Sequence, residues 1–270
     1  MPAFYVLVSG SCLCTMLPLM PFSGVDLSIM PMRFWLTAIA GGVCGLICDI
    51  GLSRAYRLSD VSLAYPLARA LPVIFTALIT TIFGIGARPS VLALFGMLII
   101  SFGCILMPMK NFGDLHWKNY CNRAIYGIIL AAIGTTGYTI FDSEGLRIFS
   151  QYQQLSRWHN ALGYYFLRES MLFLSLCIFV LAIPYERQFL TKKLFCHPHP
   201  YFAGIFATLA YLLVLMATGM VTNVSFVQAF RQMSLPVGML LGVLFLKEKC
   251  AMPKLVGITL IIGGLIITVL

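Results

Sequence analysis

Residues 60–86, DVSLAYPLARALPVIFTALITTIFGIG, are written a second time at 223–248, NVSFVQAFRQMSLPVGMLLGVLFLKE. A chain that carries two such copies is constrained to fold as two related bundles. Each copy opens with a polar residue before Val-Ser, has an arginine early in the helix and a proline just beyond, and continues as apolar sequence. With Arg69 placed on Arg231, Gly86 falls on Glu248 without a gap. One skipped residue further on, 94–106 (LFGMLIISFGCIL) lies over 255–267 (LVGITLIIGGLII), with Gly96 on Gly257 and Gly103 on Gly264. Upstream, Ala55 falls on Ala217 and Asp49 on Tyr211. Self-similarity over segments of membrane length points to a transporter-like bundle with its site between the repeats.

The copies are too apolar for water. The chain is 60% hydrophobic and 10% charged, with a mean hydropathy of +0.93, which is the composition of an integral membrane protein. Its apolar runs reach the roughly 20 residues a helix needs to cross a bilayer, so helices are expected rather than a barrel. About nine spans are read, at 4–22, 34–53, 61–83, 90–109, 123–141, 161–184, 200–222, 224–246 and 253–270. The copies divide the chain into a four-helix repeat, 1–109, and a five-helix repeat, 123–270. The connection 142–160 is expected to hold an interfacial piece joining the halves, and 185–199 to be a polar loop with aromatic and basic anchors.

The net charge of +9 does not form a nucleic-acid surface, because the basic residues sit in short connections between apolar runs. Counted by side, the connections hold 11 basic residues against 4, which places Met1 inside and Leu270 outside. The nine cysteines lie mostly within apolar runs and make no CxxC, so neither a disulfide framework nor a metal cage is expected. The CHPHP of the polar loop has no second ligand cluster, and no cofactor is implied. No Ser-His-Asp grouping, phosphate loop or HExxH is present, which argues against an enzyme.

Ionisable side chains inside membrane helices cost at least ~2.5 to 3.5 kcal/mol at the bilayer centre, so each needs a partner or a watery cavity. Five stand out: Asp49, Arg69, Arg168, Glu169 and Arg231. Arg69 and Arg231 correspond in the two copies, and guanidinium groups there could bind a substrate carboxylate or phosphate. The other reading holds either arginine on Glu169 or on backbone carbonyls as a lock, or lets it reach an interface. Pro66, Pro72 and Pro236 share those helices, where a missing amide can kink a helix and open a binding site. Tyr65 and Gln228 add a hydroxyl and an amide beside the arginines. Asp49 and Glu169 are carboxylates well inside apolar runs and are the candidates for proton coupling. For Glu169 a standing ion pair is the competing reading, and for Asp49 an interfacial position. Asp142 is read as the helix-end start of the connection that follows, a cap or inter-repeat contact. The seven-residue glycine spacing, 96 to 103 and 257 to 264 with Gly263 beside it, points to close helix packing, within the fold or at a dimer face.

The runs RAYRLSDVSLAYPLARALPV, GYTIFDSEGLR (137–147) and AYLLVLMATGMVTNVSFVQAFRQMSLPVGMLLGVLFLKEK, followed by GITLIIGGLII, resemble the EamA family of the drug/metabolite transporter superfamily. The resemblance covers the chain from about residue 4 onward and is most specific in the two arginine-bearing helices and the LKEK turn. It implies an all-α integral membrane protein built of two inverted helical repeats. Against that pattern, the first repeat lacks its opening helix, and the glutamate before the last helix of each repeat is present as Glu248 but replaced around Gly86 and Ala87. The resemblance also implies that both termini face the cytoplasm, against the charge count for Leu270.

The function so implied is a multi-pass permease of the inner (plasma) membrane. It would export a small metabolite, amino-acid-like or otherwise polar or amphipathic, by alternating access. Its partners would be that substrate, the lipid bilayer and a second copy in a homodimer. The alternative is a non-transporting accessory or scaffold protein with a degenerate fold of the same kind.

Overall fold

The computed structural model describes residues 1–59, 61–109, 123–247 and 251–270. Asp60, Lys110, Lys118, Cys121, Glu248, Lys249 and Cys250, used above in reading the repeats, charges and cysteines, lie outside the described residues. The described chain is helical throughout: α1 (Pro2–Met16), α2 (Met32–Leu58), α3 (Val61–Phe83), α4 (Val91–Leu106), α5 (Ala124–Gln153), α6 (Arg157–Ala182), α7 (Pro184–Arg187), α8 (Lys192–Cys196), α9 (His199–Thr218), α10 (Val224–Phe230), α11 (Ser234–Leu246) and α12 (Met252–Val269). Short 3₁₀ turns at Leu17–Phe22, Leu27–Ile29 and Arg231–Met233 join some of them.

Among the described residues, seven stretches are long and apolar enough to cross a membrane: Pro2–Phe22, Met32–Leu58, Ala64–Phe83, Ala124–Gln153, Arg157–Ala182, His199–Thr218 and Met252–Val269. The chain is therefore an all-α, multi-pass membrane protein. Helix α4 is shorter, at 16 residues. The stretch read as one span at 224–246 is divided into α10, a 3₁₀ turn and α11.

Local chemistry sets these boundaries. Ser90, Ser156 and Asn223 are extended residues whose side chains accept from Ala93 N, His159 N and Ser225 N, so each satisfies an orphan amide at the start of α4, α6 or α10. After α3 the chain turns through Gly84 (φ +65°) and Gly86 (φ +75°), a left-handed backbone that glycine adopts without strain. The division of 224–246 has its cause in Pro236: a proline cannot donate to the carbonyl four residues back, and its ring crowds that carbonyl at Gln232, so the preceding turn tightens to 3₁₀. Pro66 and Pro72 have no such effect, and α3 is continuous through both.

One expectation needs correction here. Helix α5 does not end near residue 141; it runs 30 residues to Gln153, so Asp142 is an interior helical residue and not the start of a connection. Its charge is neutralised by side chains from other helices, which removes the reason for the helix to stop there. The turn into α6 comes at Gln154 (φ +48°). The segment 185–199 contains the short helices α7 and α8.

The chain forms two compact units, each drawn from both sequence copies. The first comprises residues 1–50 and 137–221, the second 51–136 and 222–270, with α2 and α5 contributing to both. In the first unit, α1 packs on α9 and α6. Gly204 permits the α1–α9 approach, since a Cβ there would lie 2.6 Å from the Val8 carbonyl oxygen. The core of this unit gathers Met16, Phe34, Phe149, Tyr164 and Leu212, with the Phe34 and Phe149 rings 5.5 Å apart.

In the second unit, α12 packs along α4, and α3 packs on both α4 and α10. Gly96 lies against Gly264 and Gly103 against Gly257, so α4 and α12 run antiparallel with almost no side chain between them. The sequence equivalence that takes Gly96 to Gly257 and Gly103 to Gly264 exchanges these two contacts. The glycine spacing therefore serves packing within the fold at these four positions, while Gly263 meets nothing within 4 Å. Val73, Met97, Ile100, Cys104, Ala229 and Ile261 fill the core beside this pair.

Candidate functional site

Each unit holds ionisable or polar side chains within membrane-length helices, and the two sets differ in chemistry. In the first unit, Arg168 of α6 is 5% exposed and sits between two carboxylates. Its Nη1 donates to Glu169 Oε2 at 2.9 Å, and its Nε lies 3.4 Å from Asp142 Oδ2. The guanidinium carbon stands 5.1 Å from the centre of the Tyr138 ring and 5.2 Å from that of Tyr211, so the cation also meets two aromatic faces.

The carboxylates are themselves held. Asp142 accepts from the Tyr164 hydroxyl at 2.8 Å and the Tyr211 hydroxyl at 2.5 Å. Glu169 Oε1 accepts from Ser9 Oγ at 2.6 Å. Backbone approach makes room for the cluster: a Cβ on Gly41 would lie 2.7 Å from Asp142 Oδ1, and one on Gly45 3.3 Å from Arg168 Nη2. Buried ions need this degree of pairing, since neither charge survives desolvation alone. Asp49, half-buried on α2, is within electrostatic reach of Arg168 and Glu169. The structure thus brings the two proton-coupling candidates, Asp49 and Glu169, into one unit, with Glu169 in the standing ion pair that was the competing reading.

The second unit holds Arg69, Tyr65, Pro66 and Pro72 on α3, and Gln228 and Arg231 at the end of α10, and these helices pack on each other. Arg69 Nη2 donates to the Tyr65 hydroxyl at 2.7 Å and its guanidinium lies 5.1 Å from the centre of the same ring, one helical turn away. Arg231 Nη1 donates to Gln228 Oε1 at 3.2 Å. Both arginines are half-buried; Pro66 and Pro72 are buried and Gln228 is 1% exposed. Glu169, which the lock reading offered as a partner for these arginines, is engaged with Arg168 instead.

Ser225 and Gln228 of α10 and Gln232 of the 3₁₀ turn that follows recur at helical spacing and are all buried, and Gln232 Nε2 donates to the Gln228 carbonyl at 3.1 Å. On α3, Thr76 stands two turns beyond Arg69 and is fully buried. The side-chain oxygens Thr76 Oγ1, Ser225 Oγ and Gln232 Oε1 have no hydrogen-bond partner among the described residues.

Sequence reading passed over several of these residues. Tyr164, Tyr211 and Ser9 are ordinary residues of apolar helices, and only the fold shows that they point at carboxylates. Asp142 carried a signal that went unused: Leu146, Ile148 and Phe149 continue an apolar helical pattern past it, and all three are buried. Asn223, noted only as a polar residue before Val-Ser, is 2% exposed and joins two connections of the second unit.

No family model matches the chain, and no curated protein matches it. Among solved structures, 22 chains match. One, described only as the crystal structure of a protein, is 16% identical with a TM-score of 0.68, over 100% of this chain and 89% of the other. At that identity the likeness shows a shared fold. The class defined is thus an all-α protein with several apolar helices that cross a membrane.

Proposed function

We propose that the protein is a carrier of the inner membrane, of the EamA kind within the drug/metabolite transporter superfamily, that moves a small metabolite by alternating access. The observation that carries this reading is the interrupted helix of the second unit, α10 to α11, with Arg231 at the 3₁₀ turn where the helical hydrogen bonding changes. Secondary transporters build solute sites at such breaks, because unwound backbone within a membrane is tolerated where it lines a cavity. The exchange of contacts between α4 and α12 supports two copies of opposite orientation.

The test is uptake and efflux of labelled amino acids and related metabolites in proteoliposomes, comparing wild type with Arg69→Ala and Arg231→Ala at matched folded protein. Gradient-dependent flux that collapses in both variants is the expected result. Absence of flux for every compound, from protein shown to be folded, would instead favour an accessory or scaffold role.

A further inference from the structure

We infer that the first unit carries a binding site for an anionic phospholipid, at the end of the unit where α1 begins. Such a site is independent of whether the protein moves a solute.

Three spans of the first unit have an end here: α1 starts at Pro2, α6 stops at Ala182 and α9 starts at His199. Helix α1 packs on α6, on α9 and on the short α7. The segment from α6 to α9, with α7 and α8 in it, therefore lies at the boundary between hydrocarbon and water. Aromatic side chains mark that depth: Tyr185, Phe195 and Tyr201 are exposed, and the Tyr201 hydroxyl donates to the Phe195 carbonyl at 2.9 Å. Residues 184–199 also expose Arg187, Lys192, Lys193, His197 and His199, while the acid of the same segment, Glu186, is buried. The charge count by side puts this end on the inner face, where anionic lipids give the membrane its negative surface potential.

A cavity of about 410 Å³ opens between the start of α1 and this segment, within the roughly 300–1,000 Å³ typical of small-ligand sites. Its walls are of two kinds. Phe4, Phe189 and Leu194 are apolar and half-buried, whereas Thr191, Lys193 and His197 are polar and exposed. Thr191 is the N-cap of α8; its hydroxyl oxygen accepts from Leu194 N at 3.4 Å, and its proton remains to donate. The His197 ring is stacked on His199, with centroids 5.8 Å apart, which restrains it beside the cavity. An ammonium, an imidazole and a hydroxyl at the rim of an apolar floor match a phosphodiester that carries acyl chains: the rim takes the charge and the floor takes the chain. A soluble phosphate ester would gain nothing from the floor, and a choline headgroup would bring a second cation towards Lys193. Lys192, next in the chain, is not part of the lining, so position as well as charge defines the site.

The test is lipid binding by the purified full chain in detergent, read by native mass spectrometry on titration with phosphatidylglycerol, phosphatidylcholine of the same acyl chains, or glycerophosphoglycerol, the headgroup without chains. Phosphatidylglycerol is expected to bind about fivefold or more tightly than phosphatidylcholine, and glycerophosphoglycerol more weakly than the intact lipid. A basic residue near an anionic lipid surface is worth about 1 kcal/mol, or about fivefold, so Lys193→Gln should weaken phosphatidylglycerol by about that factor. His197→Gln should weaken it as well, and Lys192→Gln, which removes the same charge outside the cavity, should change it less than twofold. All three side chains are exposed, and an unchanged unfolding midpoint without lipid verifies that each variant is folded. Equal binding of the two lipids, equal effects of Lys192→Gln and Lys193→Gln, or a preference kept in both the Lys193 and His197 variants overturns the inference. Glycerophosphoglycerol binding as tightly as the lipid would also overturn it, in favour of a soluble phosphate ester.

Discussion

Gly96 and Gly264 face each other across the α4–α12 crossing: a Cβ on Gly96 would stand 2.7 Å from the Gly264 carbonyl oxygen, and a Cβ on Gly264 2.8 Å from that of Gly96. Seven residues away the contact recurs between Gly103 and Gly257. Backbone lies against backbone at both points, which is how membrane helices gain packing energy when lipid offers no hydrophobic drive.

Adding a side chain at this crossing must separate the helices. Gly96→Val or Gly264→Val is expected to destabilise the fold by about 1–3 kcal/mol, the usual range for overpacking. Gly263→Ala, one residue away and facing open space, should leave stability unchanged. Equilibrium unfolding in detergent would measure the contrast, and equal effects at 263 and 264 would refute the packing argument.

Arg168 neutralises two carboxylates that are 2% and 4% exposed, so removing it alone leaves buried charge behind. Arg168→Met should cost about 3–5 kcal/mol. Adding Asp142→Asn and Glu169→Gln to Arg168→Met should recover part of that loss, because no uncompensated ion remains. A triple variant less stable than the single one would count against this account.

Asn223 closes one end of the second unit. Its Nδ2 donates to the Ile85 and Ala87 carbonyls at 3.1 and 2.9 Å, its Oδ1 accepts from Ser225 N, and Ala87 N donates to the neighbouring Thr222 carbonyl. Asn223→Ala should cost about 1–3 kcal/mol by stranding the buried Ser225 amide and two partly buried carbonyls. Asn223→Asp should be worse than Asn223→Gly, since a carboxylate would face two carbonyl oxygens, and ranking the three variants by thermal unfolding tests this.

Outside the spans, Asp26 accepts from the Ser28 hydroxyl at 2.7 Å and the Ser28 amide at 2.9 Å, and these bonds hold its carboxyl below the ordinary value of 3.8. The linked stability is complete above the ordinary value and is lost as pH falls through the lower folded one. The same turn holds Gln153, which accepts from Asp26 N at 3.0 Å and donates back to the Asp26 carbonyl. Loosening of this turn is therefore expected only in acid. Hydrogen exchange at Ser28 N, compared between wild type and Asp26→Asn across that range, would show it, and a pH response retained in the variant would exclude Asp26 as its source.

The sequence alone determined the medium and most of the helices, because a bilayer demands long apolar runs with internally satisfied backbones, and both demands act locally. The glycine spacing on α4 and α12 was equally legible as close packing, since only small residues allow such an approach. Partner choice was a different matter. Nothing in the local sequence of Asp142 says that Tyr164, Tyr211 and Arg168 will meet it, because they come from α6 and α9 and converge only when the first unit closes. Glu169 and Arg168 are adjacent in the chain, yet that they bond to each other, with Ser9 completing the set, depends on where α1 packs against α6. The break before Pro236 was foreshadowed by the proline, while Pro66 and Pro72 left α3 intact, so proline marks where a helix can break and the surrounding packing decides whether it does. Helix formation is fixed by short-range pattern; the pairing of buried charges is fixed by which helices the tertiary structure brings together.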